Sequence, residues 1–158
     1  MKILKEVAFA SALTIASLYS IADGHAHEIK FKDLVIEHPW TRQSPMAANV
    51  MAGFMKITNN GKEDDRLLKA TVEITSTVQL HEMKMEGDVM KMSELPNGIA
   101  IPAGATVELK PKSLHVMFMD IKSAPVAEGQ EIKGTLTFEK AGTVEIEYAV
   151  EAADAGMN

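Results

Sequence analysis

Residues 81–92 read HEMKMEGDVMKM, a histidine and four methionines within twelve positions. Residues 114–119 read LHVMFM, a second histidine with two methionines close behind it. Thioether sulfur is soft, neutral and has no proton to lose, so it suits Cu(I) and serves zinc, calcium or magnesium poorly. Neutral imidazole also binds copper. A set of two imidazoles and two thioethers adds no charge, so a monovalent ion keeps its own and displaces no thiol proton. These residue types point to the carriage of Cu(I), one ion per domain.

The spacing says how a β-structure would present them. Side chains alternate along a strand, so His81, Met83 and Met85 share one face while Glu82 and Lys84 take the other. Gly87-Asp88 suits a two-residue hairpin loop. With that loop Glu86 faces Val89, Met85 faces Met90 and Met83 faces Met92, and His81 and Met92 become diagonal neighbours. A three-residue loop would throw Met90 and Met92 to the opposite face. On the second segment His115, Met117 and Met119 share a face, and the better core formers Val116 and Phe118 take the other. Methionine commonly fills irregular core space, but imidazole is a poor filler. Here two of the five histidines each precede a methionine by two positions, and six of the eleven methionines lie between 83 and 119.

Cysteine is absent from the 158 residues. A thiolate ligand, a cysteine nucleophile, a thiol redox couple and the blue-copper electron-transfer site, which needs a cysteine, are all ruled out. Thioethers also escape the disulfide chemistry that would disable a cysteine site in an oxidising compartment. The chain opens with Lys2 and Lys5, followed by an apolar run from Val7 to Ala22 ending in small residues. That is the layout of a secretory signal peptide over residues 1–22, with a second cleavage position after Ala26. Lys2, Lys5 and Glu6 fall in that leader, so 16 basic and 22 acidic residues become 14 and 21, a net charge of −7. A basic stripe for nucleic acid or anionic lipid is missing. No later apolar run approaches the roughly 20 residues that span a bilayer. The expectation is an exported, soluble, periplasmic protein.

The elements that must position these residues read as short alternating runs between turn residues. Residues 28–38 form a first strand region closed by Pro39, and 50–58 a second, ended by Asn59-Asn60-Gly61. Segments 67–74, 77–82, 98–101, 106–109 and 114–121 follow, and 134–140 with 143–150 close as a hairpin across Ala141-Gly142. No window of the mature chain has a helical period. The pattern predicts an all-β antiparallel β-sandwich of seven to nine strands, one domain over 27–152 with a short disordered tail at 153–158.

These residues resemble a known family. HEMKMEGDVMKM, then IPAGATVELKP and LHVMFMDIK, with EHPWTR (37–42) and AGFMKITN (52–59), are similar to the periplasmic copper chaperones called PCu(A)C. The likeness runs from about Ile29 to Tyr148. Its core pattern is a histidine, ten residues, a methionine, then a later His-x-Met. The resemblance implies a cupredoxin-like (Ig-like) sandwich holding Cu(I) through His81, Met92, His115 and Met117. Met83, Met85, Met90 and Met119 would then form a supporting apolar ring or a transfer surface. It implies delivery toward the copper centres of cytochrome c oxidase, with oxidase assembly factors or the oxidase copper subunit as partners. Some members carry a His/Met-rich tail with a Cu(II) site; this chain ends EAADAGMN with Met157 alone, so that site is not expected.

Other candidates read more plainly. His25 and His27 could join a free amine on Cu(II), but a solvated end is the simpler reading. His38 ends a strand, with Trp40 packing at an edge. Met46, Met51 and Met55 are core or rim. Asp64-Asp65 reads as a solvated turn, short of the oxygen ligands calcium needs. Ser113 shares a face with His115, yet no third group completes a catalytic set, and no Gly-x-Ser-x-Gly, HExxH or phosphate-cradling loop occurs. An enzyme is not expected. The rival from another class is a structural or adhesion-type β-sandwich that uses its methionine face for protein contact.

Overall fold

The computed structural model describes residues 27–44, 49–122 and 126–157. Eleven strands follow in order: β1 (Glu28–Phe31), β2 (Leu34–Arg42), β3 (Met51–Asn59), β4 (Asp65–Val72), β5 (Thr77–Glu86), β6 (Val89–Glu94), β7 (Ile99–Ile101), β8 (Thr106–Leu109), β9 (His115–Met119), β10 (Glu131–Phe138) and β11 (Gly142–Glu151). Among the described residues there is no helix, and none long and apolar enough to cross a membrane. The leader expected over residues 1–22, His25 and Met46 lie outside the described residues.

Hydrogen bonding links the strands in the order β6-β5-β9-β3-β2-β11-β10-β4-β7, with β1 on β2 and β8 on β3. The sheet folds over itself: β4 touches β5 and β3 touches β7, although neither pair is adjacent in that order. Leu34, Ile36, Ile57, Leu67, Ile101, Leu136, Phe138 and Tyr148 fill the space between the layers at 2% exposure or less. Their alternation along β2, β4 and β10 is what turned each strand inward. Gly53 in β3 lets the Phe118 and Tyr148 rings meet edge to face, with centroids 5.2 Å apart. A Cβ at position 53 would lie 2.8 Å from each ring. The Tyr148 hydroxyl is buried without a hydrogen-bond partner among the described residues, and burial pushes its pKa well above the ordinary phenol value.

The fold class is all-β, as the patterning indicated, but several details differ, beginning with eleven strands among the described residues where the patterning predicts seven to nine. The sheet is mixed: β11 runs parallel to β2, pairing Ala149 with Trp40 and Glu151 with Arg42. These strands lie at opposite ends of the sequence, so nothing forces the antiparallel return that a short hairpin imposes. The first strand region does not close at Pro39. It divides at Lys32-Asp33, and β2 then runs on through Pro39, because the register shifts between Glu37 and Trp40 and His38 takes φ 48°. Such a bulge tolerates the missing proline N–H. The last hairpin turns at Glu139–Ala141, since Phe138 pairs with Gly142.

Asp65 is not in a solvated turn. It opens β4 at 8% exposure, and its carboxylate accepts the backbone N–H of Arg66 (2.7 Å), Lys140 (2.9 Å) and Ala141 (3.0 Å). One buried charge therefore ties the β10–β11 turn to β4. After β11, residues 153–156 form turns, and the Ala155 carbonyl accepts Arg42 Nε at 2.8 Å.

Candidate metal centre

The β5–β6 hairpin turns on Gly87-Asp88, with Glu86 opposite Val89, Met85 opposite Met90 and Met83 opposite Met92. Positive φ falls on Gly87 (63°) and not on Asp88, the backbone of a II′ turn, which places glycine first and matches the twist of the flanking strands. Strand β9 pairs with β5 on the other side, joining His81 to His115, Gln79 to Met117 and Thr77 to Met119. From the hairpin tip inward, the rungs of one face are Met85–Met90, Met83–Met92, Glu94–His81–His115, Gln79–Met117 and Thr77–Met119. Successive rungs are about 7 Å apart.

His81 is the centre of this face. His115 is its direct partner across the ladder, with ring centroids 5.6 Å apart. Met92 stands diagonal to it on β6, and Met117 diagonal on β9. Met83 lies beside His81 on β5, one strand from His115, whereas Met92 is two strands from His115. Met85 and Met90 occupy the tip, and Met119 is two rungs from His115 in the other direction. The two rings are buried, at 8% and 4% exposure, while Met92 is 49% exposed and Met117 half-buried.

The hydrogen bonds give each ring one free lone pair. His115 Nδ1 donates to the Ser113 carbonyl at 3.0 Å, which leaves Nε2 as the basic nitrogen. His81 Nε2 donates to Gln79 Oε1 at 2.8 Å. Its Nδ1 is buried and has no hydrogen-bond partner among the described residues. Leaving a buried acceptor unpaired is unfavourable unless another electron-pair acceptor, such as a metal ion, meets it. Burial lowers the pKa of His81, and the neighbouring His115 lowers it further, while Glu94 opposite raises it. The balance keeps the ring neutral, the form that binds metal. Among the described residues no group of three or more His, Cys, Asp or Glu is placed so that it could hold a metal ion without the methionines.

Two partners in this arrangement escaped sequence reasoning, and a third, Ser113, was read there only for its hydroxyl. Gln79 and Glu94 share the face with His81 and were visible in principle from the two-residue period. Ser113 acts through its backbone carbonyl, which its side-chain type could not reveal. The two other described histidines are engaged elsewhere: His27 pairs with Glu131 at 3.2 Å, and His38 pairs with Glu151 at 2.7 Å and stacks on Trp40.

Comparison with known proteins identifies the family and the fold. The LpqE-like family model, described as "Putative lipoprotein LpqE-like", matches residues 34–150. The "Putative lipoprotein Lxx21020" of Leifsonia xyli subsp. xyli (strain CTCB07) is 31% identical over 116 residues, 73% of this chain and 68% of that protein. The copper-bound PCuAC domain from PmoF2 superposes with a TM-score of 0.67 at 30% identity, covering 80% of this chain and 98% of the other. The apo PCuAC domain from PmoF1 gives 0.68 at 28%, covering 80% and 99%. Cu(I)-DR1885 from Deinococcus radiodurans shares the fold, with a TM-score of 0.60 at 22% identity over 84% of this chain and 85% of its own. Fold and site together define the class, a PCuAC-type β-sandwich with histidine and methionine on one sheet face. The chain belongs to the LpqE-like family within that class.

Proposed function

We propose that this protein is a Cu(I) metallochaperone of the periplasm, exported by its N-terminal leader, that hands its cargo to copper-accepting proteins of the cell envelope and toward the copper centres of cytochrome c oxidase. His81, Met92, His115 and Met117 hold the ion. The observation that carries this reading is the buried, unpartnered Nδ1 of His81, 5.6 Å ring to ring from a second histidine whose tautomer is fixed. The copper carried by the PmoF2 domain, similar at 30% identity, supports the same cargo. The donors do distinct work. The imidazoles are positioned by Gln79 and Ser113, while the half-exposed Met92 leaves the ion open to exchange with an incoming partner ligand. Neutral donors bind the ion without proton release, so transfer requires only ligand substitution and no redox step or catalysis.

The test is competition for Cu(I) against a chromophoric chelator. The wild type should retain one equivalent, and Met92→Ala and His115→Ala should each lose it while keeping the native circular dichroism spectrum. Loss in Met83→Ala in place of Met92→Ala would move the fourth donor to β5. Absence of binding in the wild type would leave the methionine face as a surface for protein contact.

A further inference from the structure

The ligand set above uses one of the four hairpin methionines. Met83, Met85 and Met90 remain. Met85 is 58% exposed and Met90 40%, so neither fills the core. Residues flanking a two-residue loop form a hydrogen-bonded pair, here Glu86 and Val89. The next rung, Met85–Met90, is therefore of the closely spaced kind, with Cα atoms about 4.5 Å apart. Met83 lies on the same face, diagonal to Met90. Three long thioethers thus reach one patch at the tip, on a face whose first carboxylate is Glu94, two rungs away. The strand charges nearer the tip sit on the other face and pair there, Lys84 with Glu82 at 2.7 Å and Lys91 with Glu86. Exposed ladder positions normally favour β-branched or aromatic residues. Methionine gains the strand nothing, but it supplies sulfur.

We propose that Met83, Met85 and Met90 form a second, all-thioether site for a soft monovalent cation at the exposed end of the hairpin, a station through which Cu(I) passes to and from the histidine pair. The proposal rests on the copper reading for the identity of the cargo alone. Lacking imidazole, the tip site binds more weakly than the inner one and fills second. Its exposure makes it the part of the protein that a partner's own soft ligands meet first.

The experiment is a titration of the protein, labelled at its methionine methyl carbons, with silver nitrate in chloride-free buffer, followed by NMR. The first equivalent should shift the ring protons of His81 and His115 and the Met92 and Met117 methyls. The second should shift Met83, Met85 and Met90. The double variant Met85→Leu/Met90→Leu, which keeps an apolar ladder, should bind one equivalent with the first phase unchanged. Saturation of the wild type at one equivalent, or retention of two by the double variant, would overturn the tip site and leave the inner site standing. Shifts at Met85 and Met90 with none at the histidines would uphold the tip site and overturn the inner ligand set.

Discussion

His81 and His115 are direct cross-strand partners of β5 and β9, their ring planes inclined at 66°. Burial of His81, and the His115 imidazole beside it, disfavour charge on His81. In the unfolded chain His81 titrates near 6.5, and folding lowers that value. Below pH 6.5 the unfolded chain therefore binds more protons, and stability falls as pH drops toward the lowered folded value. Above that window this contribution is flat. Urea midpoints measured from about pH 7.5 to about pH 5 should fall in the wild type and fall less in His81→Asn. Equal slopes would remove the His81 contribution. Cu(I) affinity should persist to lower pH than a free imidazole allows, then drop as the ring charges.

Register at the hairpin governs the metal face. One glycine inserted between Gly87 and Asp88 would shift β6 by a residue and carry Met90 and Met92 to the charged side. Cu(I) affinity should fall at least about tenfold, equivalent to about 1.4 kcal/mol. Because β6 is the end strand and all six of its residues are exposed, the thermal midpoint should hardly move. Chelator competition and a melting curve on the same sample check both parts.

Gly53 supports the site from beneath, since it pairs with Val116 next to His115. The Cβ of Gly53→Ala would meet the Phe118 and Tyr148 rings at 2.8 Å. Overpacking of this kind costs about 1–3 kcal/mol. Denaturant midpoints should show that loss, and Cu(I) affinity should decline with it as β9 shifts. An unchanged midpoint would mean that the rings move aside freely.

Asp65→Ala would leave the N–H groups of Arg66, Lys140 and Ala141 without their acceptor. The expected cost is about 2–3 kcal/mol, read by urea denaturation at neutral pH. Cu(I) affinity should stay at the wild-type value, because Asp65 opens β4 beside Ile101 of β7 and the β10–β11 turn, neither of which carries a proposed ligand.

The hairpin was legible in the sequence because its signal is local: a glycine-first loop flanked by strict alternation leaves one register. The pairing of His81 with His115 was not, since it depends on β9 docking beside β5 from over thirty residues away, and no short-range pattern encodes that. Pro39 misled for a related reason. Its ordinary meaning as a strand end is cancelled by the bulge at His38, which β3 and β11 hold in place from either side. Asp65 looked like a loop residue because its type gives no hint of the three amides that converge on it from β4 and the β10–β11 turn.

The walled-in phenol of Tyr148 gives the molecule an optical gauge of its own. The sequence has two tyrosines, Tyr19 and Tyr148, and the proposed cleavage after Ala22 or Ala26 would take the first. In that processed form the ultraviolet absorption of tyrosinate would come from a single ring, whose burial raises its pKa well above the ordinary phenol value. Alkaline titration of that band records the opening of the core itself.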